Sequence, residues 1–322
     1  MAYDGFDTAR FKGYRILAGD GSTLNLPASK NIRDHFGIDA TSKSTSLARI
    51  FLLYDVNTGF TINAKLGNMR KGETTLLFKC LLETPVKDDD LIVLDRNFGY
   101  FYHVNQMIRE QRNFCIRMST MTTRFAKKVM ADPRVDFISN WTPSFPEMSR
   151  SKTKCSIKVR VTKTVLVTGE TELLVSNLDE SVFNSEDMAK LYKMRWGVEE
   201  GIKNLKPKSK VEQFGCRRKE GIYQEYYAHI LAMNMVALAG LAASTQIKNK
   251  TEKRKLPYKY NWKNAFLHFR DNIVALFSRK NVAKLLDELV ENIARTLIAI
   301  KKGRQFSRKK LRPPCRTNQY YK

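Results

Sequence analysis

The sequence is poor in the residues that build sulfur and imidazole metal sites. It has four histidines and five cysteines in 322 residues. The cysteines, at positions 80, 115, 155, 216 and 315, are odd in number and never form a C-x-x-C pair. That argues against a disulfide scaffold or a zinc site and for a reducing, cytoplasmic compartment. Long apolar runs are missing too. The longest, Ile230 to Ala243, is interrupted by Asn234 and falls short of the roughly 18–20 residues a spanning helix needs. No charged-then-apolar signal segment opens the chain, so no membrane is expected. Acidic residues are scarce, 32 Asp and Glu against 57 Lys and Arg, for a formal charge of +25. Folding cannot account for such an excess, because unpaired like charge destabilises a compact state. A polyanionic partner can, since each phosphate neutralised releases counterions. Nucleic acid is the partner that charge points to.

What is present is a core-forming chain with 43% apolar residues, long enough for a large core plus an accessory domain. Tyr14 to Pro27 reads as a strand carrying Asp20 and then turning. Ala48–Asp55 and Phe60–Leu66 are β-branched, apolar runs joined by a hairpin signal. Glu73 to Leu82 reads as a helix. Leu91 to Asp95 is a short continuous apolar run of the kind buried on both faces of a sheet. A helix is expected near Tyr100–Glu110, and Phe114–Met118 suits a further strand. In the stretch that follows, Ile157, Val159 and Val161 alternate with Lys158, Arg160 and Lys163, patterning for an antiparallel unit with one wet, basic face. The resulting division is 1–118 as the first part of an α/β core, 119–182 as a β-rich insertion, 183–246 as the second part of the core, and 247–322 as a helical C-terminal region. Its basic tail, from Lys301, has a composition suited to partial disorder.

Asn184 or Ser185 can cap a helix running to about Lys206, where Pro207 stops it. On such a helix Tyr192, Arg195, Glu199 and Lys206 fall within about 60° of one another around the axis. One reading is a solvated face with an Arg195–Glu199 pair. The other is a functional stripe, because burying three such charges unpaired would be costly. Asp95 closes a buried-type strand, where open α/β sheets place ligand sites; it could equally cap the next helix. Asp20 sits in Ala-Gly-Asp-Gly-Ser, where a turn is the plain alternative. Three carboxylates brought together would repel one another unless a divalent cation joined them.

These residues carry a family resemblance. Tyr192, Arg195, Glu199 and Lys206 match, without a gap, the Tyr-x2-Arg-x3-Glu-x6-Lys signature of DDE transposases of insertion sequence family four. Asp20, in Asp-Gly-Ser-Thr-Leu-Asn-Leu-Pro, resembles the family's first Asp motif. Asp95, in Leu-Ile-Val-Leu-Asp-Arg-Asn-Phe-Gly-Tyr, resembles the second. The resemblance implies an α/β, ribonuclease H-like mixed sheet flanked by helices and interrupted by a β-rich insertion. In that fold the strands carrying Asp20 and Asp95 are neighbours, and the helix of Glu199 packs beside them. It implies that Asp20, Asp95 and Glu199 bind two Mg²⁺ ions, with Mn²⁺ able to stand in. Tyr192, Arg195 and Lys206 would hold phosphates near a transposon end. Trp141, the one tryptophan of the insertion, would be the candidate for stacking on a flipped base, with ordinary packing as the plainer reading. By the helical angle, Trp196 should face the core. The expected partners are double-stranded DNA, as transposon ends and target, and a second copy of the chain on paired ends. The expected setting is the nucleoid of a bacterial-type cytoplasm.

Family members carry a helical region before the first Asp, whereas Asp20 stands almost at the start here. The chain therefore reads as one lacking the amino-terminal DNA-recognition region. Two other readings follow: a truncated DNA-binding derivative that regulates transposition, and a related ribonuclease H-like nuclease that cuts without strand transfer.

Overall fold

The computed structural model describes residues 6, 8–39, 45–85, 87–278 and 282–301; the basic tail after residue 301 lies outside them. The structure is organised by a strand that is apolar on both sides. In β1 (Arg15–Leu26) Ile16, Leu17 and Ala18 are all fully buried. The same holds for Leu91 to Leu94 in β4 (Asp90–Leu94). Strands of this composition are stable only when covered on both faces, and burying each such side chain contributes about 1.5–3 kcal/mol.

Around them lies an eight-stranded sheet. Its strands are β1, β2 (Ser46–Asp55), β3 (Thr61–Asn68), β4, β5 (Asn113–Met118), β6 (Asp136–Trp141), β7 (Ile157–Val165) and β8 (Thr171–Ser176), in the order β3-β2-β1-β4-β5-β8-β7-β6. β1, β4 and β5 pair in parallel, while β2–β3 and the β5-β8-β7-β6 run pair antiparallel. One face packs Leu17, Ile92, Leu94 and Ile116 against α2 (Glu73–Glu83), α3 (Phe101–Arg109) and α4 (Arg124–Ala131). The other packs Ile16, Leu91, Val93, Cys115 and Leu174 against Met188, Leu191 and Tyr192 of α6 (Ser185–Met194). A mixed sheet flanked by helices is what the resemblance implied, with the strands leading to Asp20 and Asp95 side by side.

The register of the central pair is pinned by charge. Arg15 stands opposite Asp90, and its guanidinium donates Nε to Oδ1 at 2.5 Å and one terminal nitrogen to Oδ2 at 2.6 Å. Asp90 is fully buried and also accepts from the amide of Lys87 at 2.8 Å.

Several local expectations differ from the structure. β1 continues past Asp20 to Leu26 instead of turning. The stretch 119–182 contributes β6, β7 and β8 to the main sheet through β5. Its basic face is not wet throughout: Arg160 is 2% exposed and paired with Asp136, so only Lys158 among its predicted neighbours is fully exposed. The helix after Asn184, which does cap it, breaks after Met194 and resumes as α7 (Gly197–Lys203). Pro207 then lies inside a π-helical turn, Asn204–Lys208, and does not end the run.

By internal contacts the chain forms two compact units. One comprises Thr8–Leu24 and Ala48–Lys203 and holds the sheet. The other includes α1 (Lys30–Phe36) and the described residues from Asn204 onward, so this division falls after Lys203 and not at 246. In it α8 (Lys219–Thr251) packs Val236, Ala243 and Ile247 against α9 (Trp262–Ser278) and α10 (Ala283–Arg295), beside a small β9–β10 ribbon (Tyr258–Tyr260 and Leu297–Ala299). By length and composition α8 is apolar enough to cross a membrane. Its buried residues Ile222, Tyr226, Ile230 and Met233 recur at three- and four-residue spacing, the single stripe of a helix packed on one side.

The Arg15–Asp90 pair yields the first prediction. Arg15→Ala leaves a fully buried carboxylate without its cation and should cost about 3–5 kcal/mol in urea unfolding, whereas Arg15→Leu combined with Asp90→Leu should recover most of that loss. Equal stability of Arg15→Ala and the parent chain would show that the pair does not hold the register.

Candidate active site

Because Gly19 pairs with Leu94 in the parallel β1–β4 ladder, the next residues on each strand, Asp20 and Asp95, follow at the same level. Ile16 and Val93 face α6, and by the two-residue period of a strand Asp20 and Asp95 face the same way. Asp95 also caps the 3-10 turn Arg96–Phe98, its Oδ1 accepting from the amide of Asn97 at 2.9 Å. The capping reading of Asp95 holds, and its carboxylate remains partly exposed.

Glu199 comes from α7, which lies close to β2. A Cβ on Gly197 would sit 2.8 Å from Val56, and one on Gly201 would sit 2.9 Å from the Tyr54 ring. Glycine at these two positions lets the helix approach and brings Glu199 over the sheet. Arg195, in the break between α6 and α7, joins the groups. It donates to Glu199 Oε1 at 3.0 Å and lies 3.7 Å from Asp20 Oδ2, with its side chain 9% exposed. Its guanidinium carbon is 5.8 Å from the Tyr192 ring centroid and 5.7 Å from that of Trp196.

Electrostatics reports the same convergence. Burial raises the Asp20 carboxyl from 3.8 to about 6, the negative charges of Asp95 and Glu199 adding to the rise and Arg195 opposing it. The Tyr192 phenol, 4% exposed, is pushed up to about 12, chiefly by burial. It stays protonated and can donate a hydrogen bond.

Asp20, Asp95, Tyr192, Arg195 and Glu199 thus come together in one unit. Lys206 belongs to the other unit, in the Asn204–Lys208 turn, where it pairs with Glu212 at 3.4 Å. Trp141 requires a correction. It is fully buried, stacked on Phe125 with centroids 4.4 Å apart and edge-on to Phe101 at 5.7 Å. No ring face is left for a base, and it serves as core. Trp196, expected inside, is 52% exposed; it lies between α6 and α7, where the helix tightens into three-residue turns.

Two further charged residues reach the site without having been singled out from sequence. Arg117 on β5 and Glu172 on β8 both act on the Tyr192 phenol. The signal that could have found them is position: Arg117 sits within the apolar run that pairs with the strand of Asp95.

Among the described residues no group of three or more His, Cys, Asp or Glu is arranged as a ready metal site. The donor chemistry nevertheless suits a hard divalent cation, which prefers carboxylate oxygen. Burial, with the neighbouring charges of Asp95 and Glu199, leaves Asp20 raised, and Arg195 only partly offsets this.

The raised value has a measurable sign. A folded-state value above the ordinary one favours folding below about pH 4, and this contribution is lost as pH rises through about 6. With Asp20 only 20% exposed, at about 1.4 kcal/mol per pKa unit the effect is on the order of 2–3 kcal/mol. In EDTA, Asp20→Asn should therefore melt above the parent chain at pH 7.5, with the gain vanishing near pH 4. Identical melting at both pH values would show that Asp20 is not destabilised in its charged form.

Against known proteins, the family described as the transposase DDE domain matches residues 11–235. No curated protein matches. Among solved structures the chain is similar to a piggyBac transposase, seen by cryo-electron microscopy in a synaptic complex with hairpin DNA. The identity is 14% and the TM-score 0.46, over 87% of this chain and 57% of that one. The chain thus spans well under two thirds of the length of that protein. The family match covers more than half of this chain and contains the two Asp motifs together with Tyr192, Arg195, Glu199 and Lys206. The chain belongs to the transposase DDE domain family.

Proposed function

We propose that this chain is the catalytic region of a DNA transposase of the insertion-sequence-four type, which cuts DNA at the ends of a mobile element and joins the freed 3′ ends to target DNA. The observation that carries the reading is the convergence of charge on Asp20 of β1: Asp95, next after β4, and Glu199 of α7 both act on it, and Arg195 links it to Glu199. Asp20, Asp95 and Glu199 would hold two Mg²⁺ ions, or Mn²⁺ in their place. When bound, such ions activate an attacking oxygen and stabilise the leaving one.

The chain's own residues bind and orient. Arg195 offsets the carboxylates and presents a planar, always-charged donor set suited to a phosphate. Tyr192 supplies a phenol held in its donor form by burial. The attacking groups are water and then the DNA 3′-hydroxyl, so no side chain needs to act as nucleophile. Lys206 and the wider basic surface would follow the DNA backbone. Two copies would act on paired ends. Free thiols at Cys80, Cys115, Cys155 and Cys216 suit a reducing, bacterial-type cytoplasm.

The test uses duplexes carrying the DNA that flanks the gene, some of them precleaved to expose a 3′-hydroxyl. Asp95→Asn and Glu199→Gln should each lower Mg²⁺-dependent cleavage and strand transfer roughly a thousand-fold or more, the equivalent of several kcal/mol of transition-state stabilisation. Both should still bind duplex DNA. Lys206→Ala should instead reduce the salt dependence of binding by about one unit of slope. Full cleavage by either carboxylate variant rules out the triad; cleavage without strand transfer in the parent chain identifies a nuclease.

A further inference from the structure

The sheet presents a second ion pair on the same face as the carboxylates. In the parallel β4–β5 ladder Leu94 pairs with Ile116, and both point into the opposite core. Asp95 and Arg117 come next on their strands and face the side of Tyr192. Arg117 is in turn opposite Leu174 of β8, and Glu172 lies two residues away on the same face. Arg117 NH1 is 3.5 Å from Glu172 Oε1, with side-chain exposures of 27% and 8%. The turn after Asp95 rests on this residue, since a Cβ on Gly99 would stand 2.7 Å from the Arg117 carbonyl oxygen. Neighbouring strands β1, β4, β5 and β8 therefore each contribute one charged residue to one face: Asp20, Asp95, Arg117 and Glu172.

A guanidinium has five N–H donors. Among the described residues Arg117 spends them on a single contact, the one to Glu172. Glu172 is buried by β8 and attracted to Arg117 and Arg195. It is too enclosed to meet DNA itself but well placed to aim a cation.

We propose that Arg117 is a further DNA-binding residue of this site, taking a backbone phosphate of the DNA end from the sheet side, and that Glu172 is the positioning residue that holds its guanidinium there. Arg195 and Arg117 then flank the carboxylates, one from the helix break and one from the sheet. The proposal rests on the transposase reading.

The experiment measures affinity of the chain for a duplex oligonucleotide across a salt series, with thermal melting as a control. Arg117→Gln should weaken binding about ten-fold, as expected for a charge-assisted contact, and lower the salt slope by about one unit. Arg117→Lys should restore the slope and part of the affinity, because the charge returns without the planar fork. Glu172→Gln is the discriminating variant. It removes a negative charge, so a purely electrostatic or structural role predicts equal or tighter DNA binding, whereas loss of positioning predicts weaker binding with the slope kept. Equal or tighter binding by Glu172→Gln, or a parental slope in a folded Arg117→Gln, overturns the proposal. The underlying reading fails differently. Active Asp95 and Glu199 variants with a lowered Arg117→Gln slope would leave a phosphate site without the triad chemistry. Inactive triad variants with an unchanged Arg117→Gln slope would remove Arg117 alone.

Discussion

The parallel pairing of β1 with β4 is the constraint on which the rest depends. A one-residue slip would turn every side chain of β1 to the other face, sending Asp20 into the core while Asp95 stayed at the site. Apolar packing alone does not prevent it, because β1 is buried on both sides and Ile16 and Leu17 would each find apolar surroundings in either register. The Arg15–Asp90 pair supplies the missing specificity, since a slip would leave both buried charges unpaired. A contact at one end of the ladder thus sets the level of the two carboxylates at the other end.

At that end the design concentrates like charge and tolerates it. Asp20 carries the strain, as its raised value shows, while Arg195 holds it and Glu199 in one neighbourhood. Arg195 stands between α6 and α7, where the chain tightens into three-residue turns. Arg195 keeps helical backbone angles there and meets Glu199 at ordinary i,i+4 spacing, while also lying within reach of Asp20 and both flanking aromatic rings.

Much of this was legible in the sequence. Continuous apolar runs announced β2, β3, β4 and β5, and Asn184 announced the start of α6, because burial and capping are local signals. The order of the two Asp motifs and the Tyr-Arg-Glu-Lys spacing led to the site residues. What could not be read depended on tertiary contact. The helix break at Arg195–Trp196 and the π-helical turn holding Pro207 follow from how the chain packs, and they displaced the inferred positions of Trp196 and of the helix end. Trp141 is a tryptophan in a region where a functional one was sought; only its stack on Phe125 shows it to be core. Alternating basic residues in β7 suggested a wet face, but Arg160 is buried and paired with Asp136, 24 residues away. Arg117 and Glu172 escaped notice because each looks ordinary in its own strand, and only the pairing of four strands aligns them.

The central claim is that residues far apart in sequence form one divalent-cation site, and iron-directed cleavage tests it most directly. Fe²⁺ bound in place of Mg²⁺, with ascorbate and peroxide, generates hydroxyl radicals that cut the nearby polypeptide backbone. The account predicts a small set of cuts close to residues 20, 95 and 199, suppressed by excess Mg²⁺. Cuts confined to one of these segments, or spread over sites remote from all three, would contradict it.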